Sequence, residues 1–265
     1  MPKIKQVGRN VKINMITWLV YNCFILLMVS IGAQDINNAE KETIRLVISN
    51  EILGDVNRTD AQASIEGVMN EVLGKTQFLV DRIVPQIVNS IDEIKSLVNK
   101  NEVDLIGLST LNYFKLKKTL NISPIFSIQK KSTNGIRFVV IVKKNGNIKT
   151  LEDLRSKNIL NLNGFEKEIV DKWLLVEMHK QKIVNPSEII DGFTKTTTPS
   201  KRIFSVFFDK ADACILSKDE FDSACELNPQ IEKNLKILIQ SPPFITQVFC
   251  GNDNSEKKGI AHRKE

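Results

Sequence analysis

The stretch that most narrows the folding choices of this 265-residue chain runs from residue 203 to residue 244. Ile203, Val206, Phe207 and Phe208 recur at helical spacing and need a core to cover them. Residues 211–216 (ADACIL) form a short apolar run with the length of a buried strand. Phe221, Ala224, Cys225 and Leu227 then mark one face of a second amphipathic helix. Asn228-Pro229 ends it, because proline disfavours helical backbone at the residue before it. Another helix-length segment leads into a strand at 235–239, which Ser241-Pro242-Pro243 terminates. Helix, strand, helix, helix, strand predicts an α/β layer.

The rest of the chain extends the same grammar. Residues 44–49 (IRLVIS) read as a first strand, 61–74 as a helix on Ile65, Val68, Met69 and Val72, and 77–80 as a second strand. A helix over 87–98 and a strand over 104–109 follow. Residues 138–143 (FVVIVK) are a continuous β-branched run, and 158–162 and 189–193 read as further strands around a helix from 166 to 180 that contains Trp173. Alternation of this kind predicts mostly parallel sheets, whose ligands sit outside the carboxyl ends of the strands.

That rule picks out candidate site residues. Asn50 and Glu51 follow the first strand, and Ser109, Thr110 and Tyr113 follow the strand at 104–109. Asn163 and Gly164 follow the strand at 158–162, and Thr196, Thr197 and Thr198 precede the helix that opens at Lys201. A tetrahedral oxyanion needs converging donors with no counter-charge of their own, which hydroxyls, backbone amides and helix N-termini supply. Helix capping uses the same residue types. Tyr113, Phe126 and Phe165 are candidate site aromatics, and Trp173 reads as core.

Residues 1–12 are basic, 13–31 are nearly all apolar, and Gly32-Ala33-Gln34 follows, which together predict a secretory signal over 1–34. Asn22 and the small-residue ending favour cleavage after Ala33 over an uncleaved membrane anchor, and Asn22 before Cys23 argues against lipid attachment. The predicted location is periplasmic or exported, with the membrane met only through this segment. The formal charge of +6 includes Lys3, Lys5, Arg9 and Lys12 within that leader, so the remainder is close to neutral. No cluster of basic and aromatic residues supports nucleic-acid binding.

Cys214, Cys225 and Cys250 lie beyond the leader without CxxC or Cys/His spacing, and His179 and His262 are the only histidines. The expectation is no metal and no cofactor. Cys214 reads as buried filler, and one disulfide among the three is open to any pairing. No Ser-His-Asp, Cys-His or paired-carboxylate arrangement is defensible, so the chain is not expected to be an enzyme. Asp212 reads as a residue that ties down a turn.

Several short motifs occur in an order that resembles substrate-binding proteins of the phosphate/phosphite/phosphonate ABC-importer type. They are residues 104–109 (DLIGLS), 151–155 (LEDLR), Trp173-Leu174, 209–213 (DKADA), 227–230 (LNPQ) and Ser241-Pro242-Pro243, and the similarity covers roughly 43–250. The resemblance implies a two-lobed, type II periplasmic-binding-protein-like α/β fold with mostly parallel sheets and two crossing hinge strands, at 138–143 and 235–239. Lobe 1 would comprise 43–136 with 240–250, and lobe 2 would comprise 137–239. Residues 251–265 would be a polar tail in place of the family's C-terminal helices.

This chain departs from the family at two places. Where phosphonate binders carry a Ser-Thr-Ser-Gly turn it has Asn163-Gly164-Phe165-Glu166, and where they carry Ser-His-Asp it has the Thr-rich segment. Glu166 would repel a phosphonate dianion if it faced the ligand. The resemblance implies an exported protein that closes around a small oxyanionic ligand and delivers it to an ABC permease. The alternative is a sensing module of the same fold, tethered by 13–31 or docked on a sensor kinase. A third reading, an enzyme on this fold, would have only Cys214, Cys225 or Asp212 to work with.

Overall fold

A computed structural model describes residues 42–54, 57–75, 80–127, 135–196 and 198–255. The leader and the segment expected to tether it therefore lie outside the described residues. Two units emerge: residues 1–128 with 247–265, and residues 129–246.

The first unit is a five-stranded sheet in the order β2-β1-β3-β10-β4. Its strands are β1 (Glu42–Ser49), β2 (Val80–Val88), β3 (Leu105–Ser109), β4 (Ile122–Phe126) and β10 (Gln247–Asn252). Its helices are α1 (Arg58–Lys75), α2 (Ile91–Asn99) and α3 (Thr110–Leu116). β1 runs parallel to β2 and β3, whereas β10 is antiparallel to both β3 and β4. Val47, Ile106 and Leu108 from the strands, Ile94 and Val98 from α2 and Leu116 from α3 close into one core. Each such side chain stabilises by about 1.5–3 kcal/mol when fully buried. Asp104 anchors the sheet edge, taking hydrogen bonds from the backbone and guanidinium of Arg45 at 2.7–3.0 Å and from Ser255 Oγ at 2.7 Å.

The second unit repeats the plan in the order β7-β6-β8-β5-β9. Here β5 is Phe138–Lys143, β6 is Ile159–Asn161, β7 is Thr194–Lys195, β8 is Ala213–Ser217 and β9 is Leu235–Gln240. The helices are α4 (Phe165–Lys180), α5 (Pro186–Asp191), α6 (Pro199–Phe207), α7 (Lys218–Leu227) and α8 (Pro229–Asn234). Phe138 to Val142 are all buried, as a strand covered on both faces demands. Asp212 ties a turn, accepting from Asn158 N–H at 2.8 Å.

In each sheet four of the five strands run the same way and one, β10 in the first and β5 in the second, runs antiparallel between its two neighbours, so both sheets are mostly parallel in strand direction. Three details correct the sequence-based expectations. The second strand is β2 at 80–88; of the expected 77–80 only Val80 lies among the described residues, and the helix expected from 87 starts at Ile91. Ile83, Pro85 and Ile87 point inward by period two, and Pro85 is tolerated because β2 is an edge strand. Residues 189–193 are not a strand: Pro186 opens the short helix α5, which buries Ile189 and Ile190, and the strand is β7 beyond it. The runs at 138–143 and 235–239 pair with each other in the second sheet as β5 and β9, and the chain passes between the units ahead of the first and beyond the second. Gly251 and Asn252 end β10 instead of opening a polar tail. Asn252 is buried, donating from Nδ2 to Val103 O at 2.9 Å, and Ser123 Oγ bonds Asp253 at 2.7 Å.

Candidate functional site

Each unit gathers its polar candidates at the carboxyl edge of its sheet. In the first, β1 ends in Ser49 and the chain makes a 3-10 turn over Asn50–Leu53. β3 runs directly into α3, with Ser109 as N-cap. The Ser109 hydroxyl accepts from Asn112 N–H at 3.3 Å. Glu51 closes the cluster, because its Oε1 accepts from Asn112 Nδ2 at 2.6 Å and from Ser109 N–H at 3.3 Å. Glu51, Ser109 and Asn112 thus satisfy one another at a helix N-terminus, where a carboxylate is favoured. The Ser109 oxygen is the acceptor in that scheme, and a hydroxyl that accepts can still donate.

Asn50 is half-buried beside them, and its Oδ1 finds no hydrogen-bond partner among the described residues. Thr110 is the first residue of α3. Tyr113, one turn on, packs against the first unit's core, and its ring lies 5.4 Å from that of Phe114. The Lys117 ammonium lies over both rings, 5.5 Å from Tyr113 and 4.5 Å from Phe114. Burial pushes the Tyr113 hydroxyl pKa up, with Cys250 and Asp253 adding to it. Phe126 is spoken for: it stacks on Phe249 at 4.8 Å and 7°. Gly107 makes that stack possible, since a Cβ there would stand 2.9 Å from the Phe249 ring.

In the second unit, the carboxyl ends of β6, β7 and β8 define the edge. Asn161 is fully buried and wholly satisfied: Nδ2 donates to Asp171 at 2.8 Å, Oδ1 accepts from Leu162 N–H at 2.7 Å, and its carbonyl accepts from Thr196 N–H at 3.0 Å. Lys167 pairs with the same Asp171. Asn163 and Gly164 are exposed, and Gly164 is the N-cap of α4 at φ 81°, where glycine is needed for the angle and not for space. Thr198 is the exposed N-cap of α6 without a side-chain cap bond, and Thr197 lies outside the described residues. Thr196 is buried, yet its Oγ1 has no partner among the described residues.

Sequence reasoning missed Arg202. It stands in α6 at 2% exposure, with Nη1 donating to Thr196 O at 2.9 Å and Nη2 3.5 Å from Glu220 Oε2. Its Nε has no partner among the described residues. Burial lowers its pKa, while Glu220, Cys214 and Glu166 pull the other way. The one sequence signal was position: Arg202 is one residue before Ile203 and one turn before Val206, which puts it on the inward face of the helix. Asn112 and Asn161 were also missed, and only their long-range partners reveal them.

Cys214, Cys225 and Cys250 are free thiols, and burial pushes Cys214 and Cys250 up to about 12. Among the described residues no group of three or more His, Cys, Asp or Glu side chains could hold a metal ion, and no helix is long and apolar enough to cross a membrane.

A sequence-family model for the periplasmic substrate-binding protein of the phosphonate ABC transporter matches residues 63–261. No curated protein matches the chain. Among solved structures, one similar protein is a binding protein component of an ABC phosphonate transporter from Pseudomonas aeruginosa. It is 12% identical with a TM-score of 0.50, over 82% of this chain and 71% of that one. Another is a protein of Xanthomonas citri solved bound to chloride ion, 14% identical with a TM-score of 0.53 over 83% and 80% of the two chains. The same protein bound to ATP gives 13% identity and a TM-score of 0.53 over 82% and 79%. At such identities the likeness speaks for the fold alone.

Proposed function

Because the chain belongs to the periplasmic substrate-binding family of phosphonate ABC transporters, we propose that it is an exported solute-binding protein that closes around a small oxyanion, phosphate- or phosphonate-like in shape, and delivers it to an ABC importer. The family supplies the solute-binding role and the permease as partner. The observation that carries the ligand class is the polar furniture of the sheet edges. Both edges end in Ser, Thr and Asn at helix starts, and the buried donors Thr196 Oγ1 and Arg202 Nε at the second edge have no partner among the described residues. Donors of this kind suit an oxyanion. In this reading Asn50, Glu51, Ser109, Thr110 and Tyr113 serve the ligand from the first unit, and Asn163, Gly164, Thr196, Thr197 and Thr198 from the second. Residues 13–31 belong to the same proposal as an export leader.

Binding without catalysis fits the reactive groups. Thiols held near 12 carry no thiolate at neutral pH. His179 Nδ1 is engaged with the carbonyl of Leu175 at 2.6 Å on α4. The test is a calorimetric titration of the full chain with phosphate, phosphite, methylphosphonate, methanesulfonate and acetate. One anion class should bind, and Ser109→Ala with Thr110→Ala should weaken it about tenfold or more. Silence with every anion would contradict the proposal.

A further inference from the structure

This inference rests on the proposed function and specifies the charge of the ligand. In the second unit, Arg202 and Thr196 adjoin at the start of α6, where Nη1 of the one meets the carbonyl of the other at 2.9 Å. Arg202 is 2% exposed and Thr196 8%, and Nε of the first and Oγ1 of the second have no partner among the described residues. A buried polar group left unsatisfied costs about 1–3 kcal/mol, more when it is charged. Two such groups on residues joined by that hydrogen bond are a standing cost that ligand oxygens would remove. The helix behind them has nine residues, and its N-cap makes no side-chain bond, so its first-turn amides add partial positive charge at the same end.

The surrounding charges fix what kind of anion suits these donors. Glu220 lies 3.5 Å from the guanidinium, and Glu166, in the first turn of α4, adds a second negative field there. The neighbouring ammonium groups are matched as well: Lys167 pairs with Asp171, and Lys218 with both oxygens of Asp222 at 2.6 Å. Lys201 is exposed, where solvent and salt screen its charge. One negative charge on a ligand meets a desolvated guanidinium, but a second meets carboxylates. We propose that the carboxyl edge of the second sheet holds a singly charged oxyanion, of which a sulfonate is the simplest tetrahedral case, through Arg202 Nε and Thr196 Oγ1, and disfavours a phosphonate dianion.

The test compares methanesulfonate with methylphosphonate by calorimetry on the full chain at about pH 8.5, where a phosphonate is doubly charged. Methanesulfonate should bind about tenfold tighter or more. Thr196→Val removes a hydroxyl that has no partner among the described residues, so it should fold normally yet weaken methanesulfonate about tenfold. Arg202→Lys keeps the charge, loses Nε, and should do the same; if it fails to fold, Thr196→Val decides. Tighter binding of methylphosphonate would overturn the charge assignment. Preference for methanesulfonate that neither variant moves would overturn the residues. Binding of neither anion, nor of phosphate, phosphite or acetate, would bring down the proposed function itself.

Discussion

Cys214 and Cys250 sit where a thiol cannot act, and that placement has a measurable consequence. Both are held near 12 against an ordinary 9.0, chiefly by burial, so the folded chain keeps protons that the unfolded chain gives up. The sign follows from proton linkage. The stabilisation is complete below about pH 9 and is lost as pH rises from there towards 12, by roughly 1.4 kcal/mol per pH unit for each thiol. Urea midpoints of the wild type should therefore fall more steeply above pH 9 than those of a Cys214→Ala, Cys250→Ala variant. Parallel slopes would contradict this account. The burial of Cys214 was readable from its apolar neighbours. That of Arg202 was hidden, because a Lys-Arg pair at 201–202 reads as a surface, and what holds the guanidinium inside comes from Glu220, eighteen residues away in sequence.

Among the elements, α7 is the best-fastened helix of the second unit. Ser217 and Glu220 form a reciprocal capping box, with Glu220 accepting from Ser217 N–H at 2.8 Å and Ser217 Oγ from Glu220 N–H at 3.2 Å. Ser217→Ala should cost about 1 kcal/mol in urea unfolding. Thr198→Ala, at the uncapped start of α6, should stay within about 0.5 kcal/mol. Equal costs would mean that the two helix starts are fastened alike. The Ser-x-x-Glu pattern of this box stood in the sequence, as did β5, whose unbroken β-branched run has no other use. β2 and α5 were not legible. Pro85 masked a strand that only its edge position permits, and Ile189-Ile190 looks the same in a short helix as in a short strand.

At the scale of the molecule, two units repeat one plan: three parallel strands whose carboxyl ends carry the polar residues, then one antiparallel strand and a last strand that runs with the first three. The order of motifs along the chain foretold that plan, because α/β alternation is a local signal. The reversed strand was less legible, since β10 finds its place between β3 and β4 only through pairing across well over a hundred residues. The polar candidates were legible as a class for a related reason: strand ends are visible in sequence. Which of them already share hydrogen bonds, as Glu51 and Ser109 do with Asn112, depends on contacts that no local pattern encodes.

The account turns on one claim, that the folded chain binds a small oxyanion. A thermal melt of the full chain, with and without each anion at a hundredfold excess over its Kd, tests it directly. Binding to the folded state alone adds about 2.7 kcal/mol. For units of this size that raises the melting midpoint by roughly 5–15 °C. The account predicts one cooperative melt shifted by one anion class, with methanesulfonate ahead of methylphosphonate. A cooperative melt that no anion moves would contradict it.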